Sequence, residues 1–108
     1  MLPFQPKRLV IARHAVDYHK QWNGLLGECY QLGFDPYAGD CVVFVKRDRT
    51  QLRALGGDDR GLFLVSRRFD WGRLTLNWIF EEKPTTRTIS VAELRCCLRG
   101  QAIPSTVG

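Results

Sequence analysis

Four short segments rich in β-branched and other apolar residues follow one another between residues 41 and 79, with turn-forming residues between them. The predicted strands are residues 41–45, 51–55, 62–68 and 74–79. The predicted turns are residues 48–50, 56–61 and 69–72, where Asp, Gly and Thr supply turn chemistry. Strands joined by such short turns run antiparallel, so the pattern predicts a four-strand antiparallel meander with residues 41–45 as its buried central strand.

A first helix is predicted before the meander from apolar residues at helical spacing. Its apolar face comprises Trp22, Leu25, Leu26, Cys29 and Tyr30. Asp17 is the expected N-cap, because its carboxylate can accept hydrogen bonds from exposed backbone N–H groups. Gly33 is the expected end, because glycine tolerates the left-handed conformation found just past many helices.

A second helix is predicted after the meander. Ser90 and Glu93 have the spacing of a capping box, and Ile89 and Leu94 occupy the two positions of the hydrophobic staple. Gly100 marks the expected end of this helix. Residues 8–13 are apolar and β-branched, and they are a candidate further strand at the N-terminus.

These elements predict an α+β fold in which the meander packs against the two helices. We expect a single domain over residues 1–108, with flexible ends at about residues 1–6 and 104–108. No apolar run approaches the roughly 20 residues that cross a bilayer, and the first residues lack the apolar core of a secretion signal. We therefore expect no membrane association and a cytoplasmic location.

The positive charge is concentrated in the meander. The chain carries a formal charge of +5, and residues 46–73 hold eight cations against four Asp. Seven of the eight are Arg, whose planar fork suits phosphate. The predicted nucleic-acid contacts are Lys46, Arg47, Arg49, Arg53, Arg67, Arg68 and Arg73. We expect them on one wetted face of the sheet, with Trp71 exposed at a turn, whereas Phe63 and Trp78 are expected in the core. An ordinary solvated sheet face is the equally weighted alternative.

No constellation of residues indicates catalysis, a metal or a cofactor. Cys29, Cys41, Cys96 and Cys97 lack zinc-site spacing and are expected to be reduced, mostly buried thiols. His14 and His19 have no nucleophile motif beside them. Asp58 and Asp59 lie in a Gly-rich turn that explains them without a metal, and no glycine-rich phosphate loop is present. We therefore expect a protein that is not an enzyme.

A resemblance to a known family rests on four stretches in order. They are residues 16–26, residues 35–39 (Asp-Pro-Tyr-Ala-Gly), residues 43–45 (Val-Phe-Val) and residues 68–73 (Arg-Phe-Asp-Trp-Gly-Arg). Over residues 9–103 the chain resembles the accessory protein, often called TnpB or the second-frame protein, of the insertion-sequence family numbered sixty-six. That family is distinct from the much larger RNA-guided nucleases that share the TnpB name. The chain departs from the family's pattern at residues 19–21 and 56–61.

The resemblance implies a non-catalytic accessory role in transposition, next to a larger transposase encoded nearby. Together with the basic sheet it favours binding to DNA. The alternatives are a protein-interaction module that docks on a transposase or on a second copy, and a diverged remnant with no role in transposition.

Overall fold

The computed structural model describes residues 5–76, 78–80, 83 and 85–101. The strands are β1 (Leu9–Ala12), β2 (Cys41–Val45), β3 (Gln51–Asp58), β4 (Gly61–Arg68) and β5 (Thr86–Thr88). The helices are α1 (Trp22–Gln31), a short 3-10 helix (Pro36–Ala38) and α2 (Val91–Leu98). The predicted mobile ends fall outside the described residues at 1–4 and 104–108, whereas Pro6 is buried.

The strands form one five-stranded mixed sheet in the order β4-β3-β2-β1-β5. β2, β3 and β4 are joined by tight turns and pair antiparallel, as predicted. β1 pairs parallel with β2, because the long connection through α1 returns the chain to the same end of the sheet. The candidate N-terminal strand and the α+β class are therefore confirmed.

Two apolar clusters cover the two faces of the sheet. On one face Leu25 and Cys29 of α1 pack against Val42 and Phe44, and we call this the α1 face. On the other, Leu94 of α2 packs on a set of residues that includes Val43 and Val45, and we call this the α2 face. Every residue of β2 is buried because both of its faces are covered, so the predicted central strand is confirmed.

The predicted fourth meander strand is wrong. Residues 73–76 and 78–80 belong to no helix or strand, while Asn77 lies outside the described residues. Leu74, Leu76 and Trp78 lie instead over the α2 face of the sheet. The Arg13 side chain donates a hydrogen bond of 3.0 Å to the Trp78 carbonyl and helps to hold this segment there. An alternating pattern of apolar residues shows that one side of an extended segment is buried. A segment that lies over the face of a sheet has the same pattern without pairing as a strand.

The helix boundaries show where local signals succeed and fail. α2 has the predicted capping box: Ser90 Oγ accepts from the Glu93 N–H at 3.0 Å, and Glu93 Oε1 accepts from the Ser90 N–H at 2.9 Å. The predicted Asp17 cap of α1 is wrong, because its Oδ1 accepts from the His19 N–H at 2.9 Å and α1 begins only at Trp22. In the described ranges no helix has the length and apolarity that a membrane crossing requires.

The predicted turn at residues 56–61 is shorter in the structure. β3 continues through Gly57 to Asp58, which pairs with Gly61 across a turn made by Asp59 and Arg60. A Cβ on Gly57 would lie 2.4 Å from the Gly61 carbonyl oxygen, so glycine is required there by close approach of the two strands. The long β3–β4 hairpin is the result.

Candidate nucleic-acid interface at the hairpin end of the sheet

β2 ends, β3 begins and β4 ends at the same end of the sheet. The β2–β3 turn and the chain that leaves β4 are therefore neighbours. The Phe69 N–H donates to the Thr50 carbonyl at 2.7 Å, and the Leu74 N–H donates to the Arg49 carbonyl at 2.8 Å. We define the hairpin end as residues 46–53 and 67–73, two segments that these backbone bonds hold together.

The hairpin end contains all the predicted contact residues. Its seven cations face only two carboxylates within these segments, Asp48 and Asp70. The cations are Lys46, Arg47, Arg49, Arg53, Arg67, Arg68 and Arg73. An excess of this size in two adjoining segments makes the hairpin end strongly positive.

The cations do not share one face of the sheet, so that part of the prediction is wrong. Arg53 pairs across the ladder with Phe44 and lies on the α1 face. Arg67 pairs with Leu52 and lies on the α2 face. Neighbouring residues of a strand point to opposite faces of the sheet. The cations include both odd-numbered and even-numbered positions, so they cannot all lie on one face. What the cations share is one end of the sheet.

Tyr18 packs against this end and was not among the residues predicted from the sequence. Its ring lies 4.0 Å from the Arg53 guanidinium carbon and 5.7 Å from Lys46 Nζ, both measured to the ring centroid. Arg53 also donates a hydrogen bond of 2.8 Å to the Lys20 carbonyl. Burial raises the pKa of Tyr18 to about 12, so the phenol is neutral. Arg53 thus holds the chain segment that leads into α1.

The carboxylates at this end neutralise little of the positive charge. Lys46 and Asp48 approach within 3.6 Å, and Arg68 and Asp70 within 3.2 Å, with all four side chains at least 40% exposed. Such exposed pairs contribute at most about 1 kcal/mol. Hydrogen bonds from Thr50, followed by the Lys46 charge, hold the pKa of Asp48 below its ordinary value.

The other five arginines form no ion pair with a carboxylate among the described residues. They are Arg47, Arg49, Arg53, Arg67 and Arg73. Arg47 and Arg73 are exposed. Arg67 lies 5.5 Å from the Phe69 ring and Arg49 lies 5.7 Å from the Phe80 ring, contacts that orient the guanidinium groups and leave their charge uncompensated.

Arg49 occupies a strained backbone position. Its φ is +63°, in the left-handed region that non-glycine residues adopt at a cost of about 1 kcal/mol. The turn at this site would accept glycine more readily. A non-glycine residue at a strained turn position motivates a functional hypothesis for its side chain.

The aromatic residues in or near the basic region divide into packed and exposed groups. Trp71 is 94% exposed, and Trp78 is 4% exposed in the core, so both predictions are confirmed. Phe63 is partly buried against the α2 face, also as predicted. Phe69 packs toward α2, since a Cβ on Gly100 would lie 3.3 Å from its ring.

Three of the four cysteines are buried in unreactive settings. Burial raises the pKa of Cys29, Cys41 and Cys97 to about 12, so these thiols are protonated at neutral pH. The predicted burial of most cysteines is confirmed. Within the described part of the chain, no three His, Cys, Asp or Glu side chains are grouped closely enough to bind a metal ion.

The opposite end of the sheet has a different charge arrangement. Arg8 donates from Nε to Asp40 Oδ1 at 3.0 Å and from Nη2 to Asp40 Oδ2 at 2.6 Å. The Arg8 guanidinium also lies 4.5 Å from the Phe34 ring. A cavity of about 550 Å³ lies beside these residues, between the start of β1 and the N-terminus of α2. It is far along the strands from the hairpin end.

The fold and this site define an α+β protein whose charged side chains form a basic sheet end. Residues 7–107 match the model of the TnpB_IS66 family, described as IS66 Orf2 like protein, so the chain belongs to this family. The resemblance of residues 9–103 is thereby confirmed, and the protein is an insertion-sequence accessory protein. No curated protein and no solved structure matches the chain.

Proposed function

We propose that this accessory protein binds DNA during transposition, through phosphate contacts at the hairpin end. The observation that carries the proposal is the ratio of seven cations to two weakly paired carboxylates in two adjoining segments. The proposed contacts are Lys46, Arg47, Arg49, Arg67, Arg68 and Arg73, with Arg53 as a supporting residue. The place of action would be the cytoplasm, on element DNA and next to the transposase.

The physical basis is the release of counterions from DNA. A protein that neutralises phosphates with Lys and Arg displaces condensed cations, so its affinity falls steeply as salt rises. Arg also presents a planar fork that donates two hydrogen bonds to a phosphate. The exposed Arg47 and Arg73 are free of carboxylate partners among the described residues, so little competes with a phosphate for them.

Fluorescence anisotropy with a labelled duplex tests the proposal at about 50 and 200 mM salt. Six phosphate contacts predict an affinity loss on the order of a thousandfold between these concentrations. The variant Arg47→Gln/Arg73→Gln should bind more weakly and with a shallower salt slope. The matched control is Lys7→Gln/Arg60→Gln, which removes the same charge from exposed positions at the opposite end and should change the affinity much less. Absence of binding to both the duplex and its separate single strand at low salt would refute the proposal.

The edge strand β4 supports a second candidate function, association with a second copy of the chain. β4 has eight residues and pairs only with β3 among the described strands. Its Leu62, Phe63, Leu64 and Val65 are all partly exposed, and an apolar edge of this length is a template for strand addition. Antiparallel pairing of two β4 strands would bring the arginines at the end of one toward Asp59 at the start of the other.

Light scattering during gel filtration tests this candidate. A mass of twice 12.4 kDa that reverts to the monomer mass in Ser66→Lys, at an exposed position of the edge, would support it. A monomer at all concentrations would reject self-association. Nuclease-resistant co-purification with the transposase would show instead that the edge or a helix face serves a different protein.

A further inference from the structure

Trp71 is far more exposed than the other two tryptophans. It is 94% exposed, against 44% for Trp22 on α1 and 4% for Trp78 in the core. Aromatic side chains contribute most of their free energy by burial, against the core or against a partner. An indole that the fold leaves almost entirely in water therefore indicates a surface that is covered in a complex.

The fold keeps Trp71 exposed by fixing the turn that carries it. The turn that carries Trp71 is anchored before it by the Phe69 N–H on the Thr50 carbonyl, and after it by the Leu74 N–H on the Arg49 carbonyl, at 2.7 and 2.8 Å. Gly72, with a φ of +73°, closes the turn in a conformation that glycine adopts without strain. The indole is consequently presented from a fixed turn in the second basic segment, which these bonds tie to the first.

The neighbours of Trp71 indicate the chemistry of the ligand. Arg73 lies two residues later, and Arg68 lies three residues earlier, with the exposed Asp70 as its one ion-pair partner in the described part of the chain. The combination of guanidinium groups and an exposed aromatic face suits a chain with repeated phosphates and flat rings. In single-stranded nucleic acid the base faces are available for stacking, whereas a duplex keeps them stacked on each other.

We propose that Trp71 stacks on an unpaired base and that the hairpin end selects single-stranded or locally melted DNA over duplex DNA. This inference rests on the proposed DNA binding and specifies its substrate. Arg73 and Arg68 hold the phosphates on either side of the stacked nucleotide, and Trp71 supplies the contact that duplex DNA cannot make.

Anisotropy with a labelled oligothymidine, and with the same strand annealed to oligoadenosine, tests the inference. One base–indole stack contributes about 1–3 kcal/mol, so Trp71→Ala should weaken binding to the single strand by roughly 5- to 150-fold. Its affinity for the duplex should change by less than about twofold, since phosphate contacts remain. Trp22→Ala is the control, because it removes an exposed tryptophan on α1 and should leave both affinities unchanged.

Tryptophan fluorescence provides an independent measurement. In Trp22→Phe the emission comes from Trp71 and the buried Trp78, and oligothymidine should quench it strongly while the duplex should not. Because Trp71 is almost fully exposed, urea unfolding of Trp71→Ala should match the wild type.

The outcomes separate the two proposals. Equal loss of single-strand and duplex binding in Trp71→Ala, or no loss of either, would overturn the stacking role and leave DNA binding intact. Duplex binding that depends on Arg47 and Arg73, without single-strand preference, would do the same. A wild-type protein that binds neither form at low salt would overturn both proposals.

Discussion

Arginine occurs at both ends of the sheet, in two different electrostatic settings. At the end opposite the hairpin end, where β1 begins, Arg8 forms two hydrogen bonds with Asp40. The Asp40 side chain is only 4% exposed and also accepts a hydrogen bond from the Asp35 N–H at 2.9 Å. At the hairpin end the ion pairs are exposed, and most cations have no carboxylate partner among the described residues. Removing one partner of a pair that is compensated inside the fold destabilises the fold, whereas an uncompensated surface charge remains available to a partner.

The largest expected difference between the two ends concerns stability. Asp40→Ala removes a buried acceptor of three hydrogen bonds and should lower the free energy of unfolding by about 2 kcal/mol, a value reduced because Arg8 is 56% exposed. Asp70→Ala removes an exposed partner of Arg68 and should cost less than about 0.5 kcal/mol. Urea unfolding at neutral pH measures both variants. Equal losses would remove the contrast between the two ends.

The Arg8–Asp40 pair should make the free energy of unfolding depend on pH. The hydrogen bond from Arg8 holds the pKa of Asp40 below its ordinary value of 3.8. A lowered folded-state pKa means that this contribution is present above the unfolded-state pKa and is lost as the pH falls through the folded-state pKa. Urea unfolding at pH 7 and at pH 3 should therefore show a larger loss for the wild type than for Asp40→Ala. Parallel losses would assign the acid sensitivity to other carboxylates.

The carboxylates of the hairpin end should weaken DNA binding. Asp48→Asn/Asp70→Asn removes two negative charges from this end, and Asn at position 48 can still accept from the Thr50 N–H that Asp48 binds at 3.0 Å. Affinity for DNA should rise about three- to tenfold at low salt. Asp58→Asn/Asp59→Asn makes the same charge change in the β3–β4 turn and serves as the control. Anisotropy titrations that show equal gains for the two variants would mean that net charge, and not position, controls binding.

The smallest expected effect concerns the strained Arg49. Arg49→Gly should raise the free energy of unfolding by about 0.5–1 kcal/mol, since glycine adopts a φ of +63° without the steric cost. The same variant should bind DNA about two- to threefold more weakly, because it loses one cation. Arg47→Gly loses the same charge without relief of a positive φ and should not be stabilised. A destabilised Arg49→Gly would show that the contact of Arg49 with Phe80 outweighs the strain.

Sequence reasoning was accurate where the deciding contacts lie within a few residues. The Ser90–Glu93 capping box, the turn at Asp48 and the burial of β2 all follow from local hydrogen bonds or from continuous apolarity. It failed where a segment had two ways to satisfy the same pattern. Residues 74–76 alternate like a strand but cover the α2 face, and Asp17 bonds its own turn instead of capping α1.

The sequence alone determined the class of fold, the identity of the cations and the family, because periodicity, composition and ordered motifs are written along the chain. Only the tertiary structure decided that those cations meet at one end of the sheet and lie on both of its faces. Residues 46–53 and 67–73 are brought together by the β3–β4 ladder and by the Phe69–Thr50 backbone bond. Contacts across such separations depend on register, which no local pattern specifies.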